Sequence, residues 1–254
     1  LVDCLLIFSI RRLVCVGIMQ YSALVPCTIS SLVASSIGKS LAVNANYLIK
    51  GLTEFNLLTG GKTILLACLC AGISVIFCIM LHSFGKYLKH FHLTHTKGIF
   101  GGTVILCITL LLGTTRYSGT GIEVIVSAIG GTARNTDFFW KMLFTAITLA
   151  CGYKGGESFF IFVGATFGCV IAPVLGLSSS LGAAIGMVSV FCGVTNCPIA
   201  SLLIALELFG KAPILYFLLA IAISYMLSGY YSLYKTQIIA VSKYKNEYVD
   251  KKTH

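Results

Sequence analysis

Charge is what this sequence has least of. Only 10% of its 254 residues are Asp, Glu, Lys or Arg, and only 8 are acidic, whereas soluble domains carry about a quarter charged residues. From Ser158 to Leu206 there is no charged residue at all. One helix needs roughly 20 apolar residues to cross a bilayer, so that run must hold at least two helices. Such a composition excludes an ordinary soluble domain. The patterns that carry enzyme chemistry are missing too: no Walker loop, no Ser-His-Asp arrangement and no paired carboxylates, which points away from an enzyme. There is no C-x-x-C pair, and the 11 cysteines are scattered through apolar segments. They read as small packing hydrophobes rather than metal ligands, and no cofactor is expected. No signal-peptide pattern with a cleavage site is present. With Leu1 in first position, the expectation is a fragment whose N-terminal part is missing.

What is there is apolar. Hydrophobic residues make up 57% of the chain, and the mean hydropathy is +0.94, so the protein is expected to be integral to a membrane. The net charge of +10 does not gather on a soluble face, so nucleic acid is not an expected partner. The basic residues cluster instead at Lys86, Lys89 and Lys97 and in the tail from Lys235 to Lys252. The positive-inside rule places both clusters on the cytoplasmic side.

Along the chain, residues 13–38 are long enough to span, with a bend expected at Pro26. Residues 44–62 read as a polar loop. Residues 63–85 are the cleanest span, followed by a basic loop and a second span over 98–115. Residues 115–131 are Gly-rich and carry Glu123, which predicts a short or broken piece. A helix over 137–152 leads to KGGES at 154–158. Three apolar pieces follow, near 157–172, 179–191 and 197–209, each shorter than a full span. A long helix to about Gly229 precedes an amphipathic, then charged and frayed, tail. Non-helical backbone at membrane depth is tolerated only where protein buries it or it lines a cavity. Short, interrupted segments therefore point to a transporter or channel.

The stretch CGYKGGESFFIFVGATFG, residues 151–168, raises a specific question. A helix N-terminus offers unpaired N–H groups and about half a positive charge. Aimed at the membrane centre, it attracts an anion weakly enough to release it. Gly155-Gly156 would let the backbone approach the ion closely. The spacing is equally compatible with an ordinary helix start behind a flexible Gly linker, with Glu157 complementing the dipole.

The wider stretch tips the balance. The Gly-Gly pair, the G-x-x-x-G of Gly164 and Gly168, L-G-A-A-x-G-M from Leu181 to Met187 and C-P-I-A-S-x-x-x-x-x-E from Cys197 to Glu207 resemble the CLC chloride channel and transporter family. GTTRYSGTG at 113–121 and ALVPCTISSLVAS at 23–35 are similar to it as well. The resemblance implies an all-α integral membrane fold of the CLC inverted-repeat type, with tilted and broken half-helices. This chain would be the second half plus the last helix of the first, with a transmembrane domain over 1–234 and a cytoplasmic tail over 235–254. It implies transport of chloride or a similar small anion, by a channel or by anion/proton exchange, and a homodimer with helices near 21–38 and 197–228 at its interface.

By the same resemblance, Gly155, Gly156, Glu157, Ser158 and Phe159 would stand at the anion-binding helix start, where the family carries G-x-F-x-P. No Pro follows here, and Ser stands where Phe is usual, so the resemblance does not fix selectivity. A tyrosine hydroxyl from the final helix completes the family site. Tyr230, Tyr231 and Tyr234 are available, and the Leu-Tyr pair matches at Tyr234; an interfacial aromatic belt is the other reading.

A carboxylate beside an anion site would repel the anion unless protonated, so Glu157 is expected to titrate with transport. Glu207, in an otherwise apolar helix, is either a proton-coupled acid or a polar contact at the helix end. Glu123 is ambiguous in the same way. His90, His92 and His95 sit in a basic loop with no Cys or carboxylate nearby, which reads as interface rather than zinc site. Two readings of other kinds remain: a non-transporting truncated membrane remnant, and a different inverted-repeat transporter of small anions.

Overall fold

The uncharged character of the sequence becomes helix wherever the chain can bury it. In the computed structural model, the described residues are 15–16, 29–30, 33, 36–37, 47–52, 55–88, 94–153, 155, 158–233, 238–243 and 247–252. Helix α1, Leu57–Leu88, has 32 residues. At 1.5 Å per residue it is about 48 Å long, more than the roughly 30 Å hydrocarbon core, so it must tilt or protrude. It begins earlier than the polar reading of 44–62 predicts, because Asn56 and Thr59 close its first turn: Asn56 N donates to Thr59 Oγ1 at 2.9 Å. Helix α2 is Thr94–Leu112 and packs on the helix that follows the Gly-rich segment.

The Gly-rich segment after α2 is broken, as its composition predicts. Helix α3, Ile122–Ile129, has only 8 residues and starts on Gly121 at φ 70. Helix α4 is Asp137–Ala150. Helix α5, Ser158–Ile171, runs on into a 3-10 turn at Pro173–Leu175, and together they reach 18 apolar residues. Helices α6, Ser179–Thr195, α7, Pro198–Phe209, and α8, Ile214–Leu227, complete the bundle.

The charge-free run lies at its centre. Every residue of α6 from Ser180 to Thr195 is buried, as is α5 from Phe162 to Cys169. The two helices pack antiparallel through four glycines. A Cβ on Gly164 would strike Gly186 O, and one on Gly168 would strike Gly182 O. Small residues let backbones touch in this way, which supplies packing where lipid removes the usual hydrophobic drive. Outer helices keep apolar side chains exposed, among them Leu65, Leu69 and Ile76 of α1 and Leu110 and Leu111 of α2. Such a surface suits lipid rather than water.

Helices α1 and α8 run in the same direction. Tyr216 Oη lies 3.4 Å from Thr59 Oγ1 near their starts, while Gly193 of α6 sits between Ser74 and Ser224 further along both. Lys86, in the last turn of α1, therefore emerges on the same side as the tail.

Among the described residues, strands occur in the tail and at Cys15–Val16. Instead of fraying, the tail forms a hairpin of β2, Ile238–Val241, and β3, Tyr248–Lys252, with β2 pairing in parallel to β1, Cys15–Val16. Ile238, Ile239 and Val241 are β-branched and suit a strand, and Ile239 is fully buried.

Candidate functional site

The chain enters α5 at Ser158, and the first-turn amides of any helix lack intrahelical acceptors. Phe159 and Phe160 anchor this end. Both are buried, and their ring centroids stand 5.6 and 5.7 Å from that of Phe77 in the middle of α1. Three buried aromatic rings fix the direction in which the α5 dipole points. Ser158 is partly exposed and Gly155 is exposed beside Leu149. Gly156, Glu157 and Lys154 lie outside the described residues.

The glycine contacts set a register. Gly164 meets Gly186 and Gly168 meets Gly182, so four residues forward on α5 is four back on α6. The same step puts Phe160 level with Val190 and Ser158 level with Cys192. The start of α5 therefore lies beside the end of α6. That end is closed by Asn196, in the left-handed region at φ 57, whose N–H returns to Cys192 O. Asn is one of the few side-chain-bearing residues that visits this region.

The segment after α8 is tied to the same place. Asn196 Nδ2 donates to Tyr231 O at 2.9 Å, and Leu233 N donates to Val194 O at 3.2 Å. The chain just before Tyr234 is thus held at the end of α6, level with the first turn of α5. Tyr234 itself lies outside the described residues. Tyr230 Oη is 3.1 Å from Ser242 Oγ in the tail. Separate stretches of sequence, one at Ser158 and Phe159 and one ending at Leu233, converge here.

Two polar groups that the sequence reading passed over hold this region. Asn196 is one; a single Asn at the end of an uncharged run was its signal. The other is Lys243, whose Nζ donates to Asn196 Oδ1, to Tyr225 O at 2.9 Å and to Ser228 Oγ at 3.0 Å.

A second polar cluster fixes the loop before α3. Asp137, fully buried, accepts from Arg116 Nη2 at 3.0 Å and from Tyr117 Oη at 2.9 Å. Lys141 donates to Tyr117 O at 3.0 Å and Gly119 O at 2.6 Å. Its Nζ stands 5.1 Å from the centroid of Phe162, one turn into α5. A buried charge survives only when paired or well hydrogen-bonded: Asp137 is paired to Arg116, and Lys141 is held by two carbonyls and the Phe162 ring. A cavity of about 1030 Å³ opens beside this loop, lined by Thr109, Thr115, Arg116, Ser118 and Glu123 among others. The Arg116 charge that faces it is already paired to Asp137.

The remaining candidates fall elsewhere. Glu207 is exposed in the last turn of α7, a helix that leaves the α6 end at Pro198 and runs away from it. The structure does not bring it to Ser158. Glu123 is exposed in the first turn of α3, where it complements the dipole. His90 and His92 lie outside the described residues, and His95 falls in the first turn of α2. In the 197–228 stretch expected at a dimer interface, the small residues Ala200, Ser201 and Ala205 are buried inside the chain. They let α7 approach its own neighbours, and the outward positions of α7 are Ile199, Leu203 and Glu207.

Residues 6–229 match the sequence model of a family described as Voltage gated chloride channel. A curated relative, the "Chloride/fluoride channel protein" of Pseudomonas syringae pv. tomato (strain ATCC BAA-871 / DC3000), is 32% identical over 244 residues. That match covers 90% of this chain and 53% of the relative, so the chain spans about half the relative's length. A solved structure titled "Crystal structure of a CLC-type fluoride/proton antiporter" superposes with a TM-score of 0.84 at 24% identity, over 91% of this chain and 59% of that one. That likeness is one of fold.

Proposed function

The chain belongs to the voltage gated chloride channel family, and from that premise we propose that it carries one half of a transmembrane pathway for chloride or a similar small anion, fluoride included. The observation that supports this reading is the convergence at the end of α6. The α5 N-terminus, anchored by Phe159 and Phe160, lies level with Cys192. The chain entering Tyr234 is pinned to Val194 at the same level. Amides of Glu157, Ser158 and Phe159 supply partial positive charge, Gly155 and Gly156 let the ion approach the backbone, and the Tyr234 hydroxyl donates a further hydrogen bond. Amide dipoles bind without a full countercharge, so the ion can leave again. The reaction is transport, with no bond made or broken in the anion, and no enzyme chemistry is assigned. A carboxylate beside a bound anion repels it unless protonated, so protonation of Glu157 is proposed to change anion occupancy and couple the two as an antiporter does.

The protein is integral to a membrane, as its family is. We place it in the cell membrane, with the tail and the Lys86 end of α1 cytoplasmic, because both are basic and emerge on one side. Homodimerisation through the outward face of α7 and α8 completes the reading; Ile199, Leu203, Leu215 and Leu218 are exposed there. Cysteine crosslinking at Leu203 in membranes should trap a dimer, and a chain that stays monomeric would count against this contact.

Reconstitution of the full-length gene product in liposomes tests the function directly. Chloride or fluoride efflux is expected. Tyr234→Phe should raise the half-saturating anion concentration several-fold, the worth of about 1 kcal/mol for one hydrogen bond. Glu157→Gln should shift the pH dependence of flux. Liposomes that release neither anion would leave the membrane-remnant reading in its place.

A further inference from the structure

The site at the end of α6 holds a charge that the transport reading leaves unused. Lys243 lies just beyond β2 and reaches back to the membrane helices. Its Nζ donates to Asn196 Oδ1, Tyr225 O and Ser228 Oγ and stands 4.3 Å over the Tyr225 ring. An ammonium has three protons, so these contacts use all of them. Lys243 is therefore held in place and does not reach out to ligate a passing ion.

Two helices end at this amine. Asn196 caps α6, and Tyr225 and Ser228 belong to the end of α8. Each helix C-terminus carries roughly half a negative charge. The glycine register puts the first turn of α5 at this same level. An anion drawn to the α5 amides would meet two carbonyl ends nearby, and the repulsion would offset what the amides provide.

We propose that Lys243 is the charge-neutralising residue of the anion pathway: it cancels the negative ends of α6 and α8 beside the α5 N-terminus and thereby sets anion affinity. The inference rests on the transport reading above. The residue acts through its field and not by contact, so its charge matters and its hydrogen bonds alone do not suffice.

Burial pulls the Lys243 ammonium down to about 8, with the neighbouring Cys192 sulfur acting weakly in the opposite direction. The titratable groups around it are Cys192 of α6, Cys197 before α7 and Tyr225 of α8. On the tail side, Tyr230 meets Ser242, and Glu247 accepts from Ser242 N through its backbone while its side chain is exposed. The charge is thus present below about pH 8 and lost above it, and anion affinity should fall as pH rises through that value. Hairpin docking moves the other way. The docked lysine holds its proton less tightly than a free one at about 10.4, so docking strengthens as pH rises from about 8 toward 10. A fall in affinity over that range is therefore a signature of charge and not of a loosened tail.

The test uses the full-length gene product in liposomes, with chloride and fluoride as probes, at about pH 6.5 and about pH 9. A unit charge roughly 10 Å from an ion at an effective dielectric of about 20 changes its affinity about tenfold. Lys243→Gln should raise the half-saturating concentration by about that factor at pH 6.5 and remove the further rise seen in wild type at pH 9. Lys243→Arg should keep wild-type affinity at pH 6.5 and hold it at pH 9, because a guanidinium stays charged. If Lys243→Gln fails to reconstitute, the Lys243→Arg profile alone decides. An Arg variant that loses affinity at pH 9 as wild type does overturns the proposal. So does a Gln variant that binds like wild type. A wild type that moves neither anion overturns the transport reading itself.

Discussion

Residues in this chain divide by what their environment forbids. Gly164, Gly168, Gly182 and Gly186 are glycine because backbone of the facing helix occupies the space of a Cβ. Gly186→Ala would push against Gly164 O and Gly168 Cα. Overpacking of this kind costs about 1–3 kcal/mol, so the variant in detergent should melt several degrees below wild type. Lys141 shows the complementary case. Its amine satisfies Tyr117 O and Gly119 O in a site only 3% exposed. Lys141→Met keeps the length but orphans both carbonyls, at about 1–3 kcal/mol for each buried group. Proteolysis should then detect a loosened loop at 113–121, with wild-type resistance there arguing against a holding role for the Lys141 contacts.

Elements are defined by their ends more than by their middles. Helix α6 starts at Ser178, whose hydroxyl accepts from Leu181 N at 3.2 Å, and stops at Asn196 in the left-handed region. Ser178→Ala should cost about 1 kcal/mol and leave transport intact, since this end is remote from Ser158. Asn196→Ala removes the favoured left-handed residue, the donor to Tyr231 O and the acceptor for Lys243 at once. It should impair flux more than it lowers stability, a split measurable by comparing melting temperature with efflux rate. Equal losses in both would reduce Asn196 to a structural cap. The tail hairpin was not legible from its lysines. Its β-branched stretch around Ile239 suits a strand, but only pairing with residues 15–16 gives that strand a partner.

The whole molecule places its charges by direction. Parallel α1 and α8 bring Lys86 and the tail to one side, while the uncharged run fills the centre as α5 and α6. Deleting residues 238–254 should therefore leave the helical bundle folded, because the four-glycine contact lies elsewhere. It should lower anion affinity as Lys243→Gln does, since both remove the same charge. A deletion that unfolds the bundle would show that the sheet, and not the glycines, carries its stability.

The sequence by itself determined the helical, membrane-embedded character and the approximate bounds of the helices from residue 57 onward; the span expected over 13–38 lies largely outside the described residues. Those features follow from local composition: long uncharged runs, glycine breaks and basic ends. The α5 start is singled out by its resemblance to a family motif and not by composition. The sequence did not determine which glycines face which, how far around its axis α7 is turned, or that Asn196, Leu233 and Lys243 meet at one helix end. Residues far apart in the chain make those contacts, and a periodicity or a motif records no partner. The inward face of Ala200, Ser201 and Ala205 is settled by the packing of α7 on its neighbours, because small residues are compatible with either side. The tertiary structure alone brought a tail lysine to the joined ends of α6 and α8, because only long-range packing can set residue 243 against residues 196, 225 and 228.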